Sequence, residues 1–164
     1  MRKGSIFVYY GTAKGKTSLA IGRGICSLGK EQSVVMIQFM KHNSNIGETT
    51  PLKRLEPDFK VFHFEKMRYD DTEDAIKQGI TNEVRNAFTF AKKILETGEC
   101  DVLILNGLLD AVTEGYLTAE EVLSSLAKRT SYMDVLLIGQ HAEESILQQA
   151  DFVYHIVTEK ESEV

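Results

Sequence analysis

Tyr10-Gly11-Thr12-Ala13-Lys14-Gly15-Lys16-Thr17 is the stretch on which the fold turns. An apolar run, Ile6-Phe7-Val8-Tyr9, precedes it, and residues 18–28, rich in small and aliphatic side chains, follow it. A bare Gly-Lys-Thr is more often a surface turn. Strand, glycine loop and helix together make a phosphate-binding loop. Gly11 and Gly15 allow backbone angles closed to other residues and let the main chain approach a phosphate. Successive backbone NH groups and the helix N-terminus then direct partial positive charge at the anion. Lys16 adds a full charge, the Thr17 hydroxyl suits a phosphate-bound Mg2+, and Thr12, Ala13, Lys14 and Ser18 complete the expected contact set. Three residues rather than four separate Gly11 from Gly15. Either Tyr10 supplies the first position of the loop, or the loop is shorter.

Around this loop the composition is that of an ordinary soluble protein. The 164 residues suit a single domain able to bury a full core, with 43% hydrophobic and 26% charged residues. A formal net charge of −5, with no clustered lysines and arginines, argues against general nucleic-acid binding. Cys26 and Cys100 lie far apart without metal-ligand spacing, and His42, His63, His141 and His155 are equally scattered. That pattern reads as free thiols in a reducing compartment and argues against zinc. The N-terminus resembles no signal peptide and no stretch is long enough to span a membrane, so a cytoplasmic protein is expected.

Beyond the loop, apolar runs alternate with helical patterns. Val34-Val35-Met36-Ile37, Val102-Leu103-Ile104-Leu105 and Val135-Leu136-Leu137-Ile138 are continuous enough to be strands buried on both faces. The shorter segment 60–64 suits an edge strand, and 152–157 a last strand. Between them, 80–95 carries apolar residues at helical spacing up to Thr97-Gly98, and Thr118 with Glu121 forms a capping box for a further helix. A short helix is expected over 143–149. This alternation predicts an α/β fold in three layers, a P-loop NTPase (RecA-like) architecture with a mostly parallel central sheet of five to six strands. One nucleotide-binding domain is expected over 1–158, with a frayed polar tail over 159–164. Ligands of such sheets sit beyond the C-terminal strand ends. Segments 11–17, 41–48, 106–110 and 140–143 should therefore line the site.

In order along the chain, Gly11 to Thr17, Gln38-Phe39-Met40-Lys41 with Gly47-Glu48, the helix before Gly98-Glu99-Cys100-Asp101, Gly115-Tyr116-Leu117, Glu120-Glu121-Val122-Leu123, and Gly139 with Ala150-Asp151 resemble the P-loop corrinoid adenosyltransferases. This resemblance spans nearly the whole chain. It implies transfer of the 5'-deoxyadenosyl group of ATP to a reduced Co(I) corrinoid, with release of triphosphate. The nucleophile is then cobalt, and the protein supplies position, charge compensation and a dry pocket rather than a general base. It also implies Mg2+, a homodimer, a reductase that supplies Co(I), and a nucleotide site drawing on Arg23, Lys41, Glu48 and Gln140. Lys41 either meets the nucleotide or solvates a strand end, and Glu48 either faces the corrinoid or caps a helix.

Several positions depart from the family pattern. Where the family usually has Asp-Glu at the end of a strand, this chain has Asn106-Gly107. The metal would then rest on Thr17, helped by Asn106 or Asp110. Gln140 replaces an expected arginine, Cys26 stands for another with Arg23 one turn earlier, and Tyr69 is the nearest aromatic to an absent tryptophan. These departures leave two alternatives to adenosyl transfer. One is a relative that binds ATP or corrinoid without turnover, and the other is a P-loop ATPase or phosphotransferase.

Overall fold

The computed structural model describes residues 2–40, 50–64 and 72–163. Its core is a six-stranded sheet made of β1 (Ile6–Tyr10), β2 (Val34–Gln38), β3 (Phe59–Phe62), β4 (Val102–Asn106), β5 (Asp134–Gly139) and β6 (Phe152–His155). The order across the sheet is β3-β2-β4-β5-β1-β6, and every neighbouring pair is parallel. Strands β2, β4 and β5 are buried at every position, as their unbroken apolar runs require. The edges are different. β3 is half-buried, and all four residues of β6 are exposed.

Alternation along the strands sends successive side chains to opposite faces. One face, formed by Phe7, Tyr9, Val34, Met36, Val102, Ile104, Leu136 and Ile138, packs on helix α1 (Lys16–Leu28). That helix buries Ile21 together with the small residues Ala20, Gly24 and Ser27, which let it lie close to the sheet. The opposite face carries Val8, Val35, Ile37, Leu103, Leu105, Val135 and Leu137. It is covered by α2 (Glu73–Thr97), α3 (Leu108–Thr113), α4 (Ala119–Ala127) and α5 (Glu144–Gln149). The expected three layers are present, with the sheet at the upper end of the predicted strand count.

Three elements differ from the sequence reading. Helix α2 begins at Glu73 instead of residue 80, because its first two turns are largely exposed and carry no apolar stripe; Thr72 caps it by accepting from the Ala75 NH at 3.4 Å. Residues 108–113, to which the sequence reading assigned no element, form α3. Leu108, Leu109, Ala111 and Val112 are buried there, and only Asp110 and Thr113 mark a polar side, too short a run to show a period. Strand β6 stops at His155, although the Ile156 NH still donates to the Tyr10 carbonyl at 2.7 Å.

Candidate functional site

β1 delivers the glycine loop to the C-terminal edge of the sheet, and α1 starts one residue after Gly15. Gly15 sits at φ 95° as the N-cap residue of α1, a left-handed conformation that glycine adopts without strain. At Gly11 a Cβ would lie 2.1 Å from the Ile156 carbonyl oxygen, so only glycine fits there. Tyr10 is the last residue of β1, paired in register with Gly139 and His155, so the loop proper begins at Gly11.

Within the loop the Lys16 ammonium donates to the Ala13 carbonyl at 2.6 Å, held against the turn that it follows. Burial draws its pKa below the ordinary lysine value, and the negative charge of Asp110 opposes that shift. Lys14 projects into solvent and pairs with Glu161 at 2.8 Å. The tail expected to fray is therefore linked to the loop by one exposed ion pair. Thr12, Lys14 and Ser18 are exposed, Thr17 has intermediate exposure, and Ala13 is buried.

Thr17 is the loop residue whose side chain meets β4. Its hydroxyl lies 3.3 Å from Asn106 Oδ1 and 3.2 Å from Asn106 Nδ2, at the C-terminal end of β4. Asn106 Nδ2 also donates to Gln38 Oε1 at 2.8 Å, across the in-register β2–β4 pair. Gly107 caps α3 at φ 85°, and a Cβ on it would fall 2.3 Å from the Phe39 carbonyl oxygen. The glycine that stands in place of a family acid is thus dictated by this backbone, and a side chain at 107 would have to move the end of β2.

Asp110 lies in the first turn of α3. Its Oδ1 accepts from the backbone NH of Gln140 at 2.7 Å, tying α3 to the end of β5. This bond brings two predicted site residues together, and the charge of Asp110 also reaches Lys16. The Gln140 side chain is exposed, as is His141. Arg23 is committed elsewhere. It stacks over Phe7 at 3.8 Å and donates to the Tyr9 hydroxyl at 2.9 Å, along the body of β1. Lys41, Glu48 and Tyr69 lie outside the described residues.

Among the described residues no group of three or more His, Cys, Asp or Glu side chains could hold a metal ion. Among the described residues, the site offers a cation the Thr17 hydroxyl and the Asn106 carbonyl, two neutral hard oxygens. That donor set fits Mg2+ arriving on a triphosphate and keeping most of its waters. Gln38 is the residue of this constellation that sequence reasoning did not single out for a role. Its signal was present, because it is the one polar residue in the otherwise apolar run 34–38.

Comparisons with known proteins identify a family and a fold. The family model described as ATP:corrinoid adenosyltransferase BtuR/CobO/CobP matches residues 2–162. The corrinoid adenosyltransferase of Escherichia coli (strain K12) is 30% identical over 152 residues, covering 92% of this chain and 75% of that protein. The corrinoid adenosyltransferase of Salmonella typhimurium is 28% identical over 155 residues, with the same coverage of 92% and 75%. Among solved structures, the flagellar accessory protein FlaH from Methanocaldococcus jannaschii superposes with a TM-score of 0.57 at 15% identity, covering 94% of this chain and 72% of that one. B204, the DNA-packaging ATPase from Sulfolobus Turreted Icosahedral Virus, gives 0.54 at 16% identity, over 98% and 78%. At those identities the two structures attest the P-loop NTPase fold alone. The family match runs from before β1 to beyond β6, and the chain belongs to the ATP:corrinoid adenosyltransferase family.

Proposed function

We propose that this protein transfers the 5'-deoxyadenosyl group of ATP to a reduced corrinoid. The carrying observation is a family match that includes the whole glycine loop together with the strand ends facing it. In this reading an electron pair of Co(I) forms the cobalt–carbon bond at C5', the C5'–O bond breaks, and the triphosphate leaves with that bonding pair. No protein base is needed, because the nucleophile carries no proton to be removed.

The chain's own residues would bind and position. Backbone NH groups of 11–17 and the N-terminus of α1 cradle the triphosphate, with Ser18 at its edge. Lys16 turns from the Ala13 carbonyl to a phosphate oxygen, compensating charge that grows on the leaving group. When bound, Mg2+ would be held by Thr17 with Asn106 and would offset triphosphate charge. Asp110, through the Gln140 NH, keeps the ends of α3 and β5 in place beside Lys16. Arg23 would reach a phosphate only by leaving Tyr9 and Phe7, so the reading assigns it to the sheet instead. Lys41 and Glu48 remain proposed contacts for nucleotide and corrinoid. A homodimer, a reductase that delivers Co(I), a cytoplasmic setting and the single domain over 1–158 belong to the same reading.

One observation favours a second reading. The strand end that usually carries two acids in this family carries the neutral Asn106 and a Gly107 that its backbone conformation demands. A relative that binds ATP or corrinoid without turnover would look like this. The deciding assay mixes protein, ATP, Mg2+ and chemically reduced corrinoid, and follows cobalt–carbon bond formation with triphosphate release. Stoichiometric triphosphate and adenosylated corrinoid are expected. Saturable binding of both ligands with no product would establish the second reading, and ADP with phosphate would point to an ATPase.

A further inference from the structure

Gln38 and Asn106 end the α1-facing rows of β2 and β4, continuing Val34 and Met36 on one strand and Val102 and Ile104 on the other. Both amides are deeply buried, Gln38 at 2% exposure and Asn106 at 6%. Their bonding is lopsided. Gln38 Oε1 accepts from Asn106 Nδ2, yet Gln38 Nε2 is buried with no partner among the described residues. Turning the Gln38 amide alone would set two NH2 groups against each other, so the unpaired donor follows from the contact with Asn106. A buried donor left unpaired destabilises the fold. An apolar side chain of similar length would avoid that cost at this buried position, in the row of Val34 and Met36.

We propose that Gln38 is a positioning residue that acts through Asn106. Its Oε1 claims Asn106 Nδ2 and so fixes the Asn106 amide plane, leaving Asn106 Oδ1 and the second Nδ2 hydrogen directed at the Thr17 hydroxyl. A carboxylate at 106 would have two equivalent oxygens and would need no such orientation. An amide has one acceptor end; both ends of Asn106 lie within reach of the Thr17 hydroxyl, and the bond to Gln38 Oε1 keeps the NH2 end on Gln38 and the oxygen free for Thr17 and a cation on the triphosphate. Gln38 thus supplies the handedness that a neutral residue at 106 lacks, at a cost in stability.

This inference rests on the proposed nucleotide site, and the test separates the two. Calorimetric ATP titrations in Mg2+ are made on the parent chain, Gln38→Met, Asn106→Ala and the double variant, with thermal melts of all four. Gln38→Met should weaken ATP binding roughly tenfold, the worth of one ordinary hydrogen bond, while its melting temperature stays equal to or above that of the parent. The double variant should bind no more weakly than Asn106→Ala, because Gln38 has nothing to orient once Asn106 is gone. Losses that multiply in the double variant would overturn the inference, as would a lower melting temperature of Gln38→Met with unchanged ATP affinity. A parent chain that binds no ATP overturns the nucleotide reading first and this one with it.

Discussion

At the scale of single residues, the site is built from side chains that already have partners. Lys16 rests on the Ala13 carbonyl, Asp110 on the Gln140 NH, and Thr17 on Asn106. Removing the Lys16 ammonium leaves only one loop carbonyl to find water, so Lys16→Ala should fold normally. It should nevertheless lose about 1.5–3 kcal/mol of ATP binding, the range for a charge-assisted bond to phosphate. Calorimetry would show this as a dissociation constant raised some 10- to 100-fold, and an unchanged constant would remove the triphosphate from this loop. The loop residues were legible in the sequence because glycine, lysine and threonine carry their chemistry locally. Arg23, which the family resemblance offers to the nucleotide, has partners that the sequence did not show: the packing of α1 against β1 stacks it on Phe7 and bonds it to Tyr9.

At the scale of elements, local signals were read correctly where a cap or an unbroken apolar run was present. The capping box at the start of α4 is complete: Thr118 Oγ1 accepts from the Glu121 NH at 3.1 Å, and Glu121 Oε2 accepts from the Thr118 NH at 2.8 Å. Glu121 also pairs with Arg85 of α2, so this cap joins two helices on the same face of the sheet. Thr118→Ala should destabilise the fold by about 1 kcal/mol, read as a lower urea midpoint at constant slope, and a midpoint equal to the parent's would show that the cap is idle. Helix α3 escaped the sequence reading for a physical reason. A six-residue helix is too short to display more than one repeat of its period, and it has no side-chain cap, since Gly107 at its N-terminus offers only a backbone conformation.

At the scale of the whole molecule, the sheet sets what each titratable group meets. Cys100, just before β4, is buried, and burial pushes its thiol from an ordinary 9.0 up to about 12, with Asp101 and Glu99 adding to the shift. Below pH 9 the folded and unfolded thiols are both protonated and the full stability is present. As pH rises from there towards 12 only the unfolded chain gives up its proton, so stability is progressively lost. Between neutrality and about pH 10.5 the parent should lose roughly 2 kcal/mol more than Cys100→Ala. Urea midpoints at the two pH values measure this, and parallel losses in both proteins would exclude Cys100 as the cause. Cys26, exposed on α1, should react with a thiol reagent in the native state while Cys100 waits for unfolding.

The chain by itself determined the layered α/β plan, the phosphate loop and the family, because each depends on short-range patterns: apolar runs for buried strands, glycines for the loop, and the succession of motifs for kinship. Strand order, the commitment of Arg23 to the sheet, and the Gln38–Asn106–Thr17 chain were decided by tertiary structure. The last of these joins residues 68 and 89 positions apart, and only the parallel register of β2 with β4 and the seating of α1 on that face bring such groups within hydrogen-bond distance.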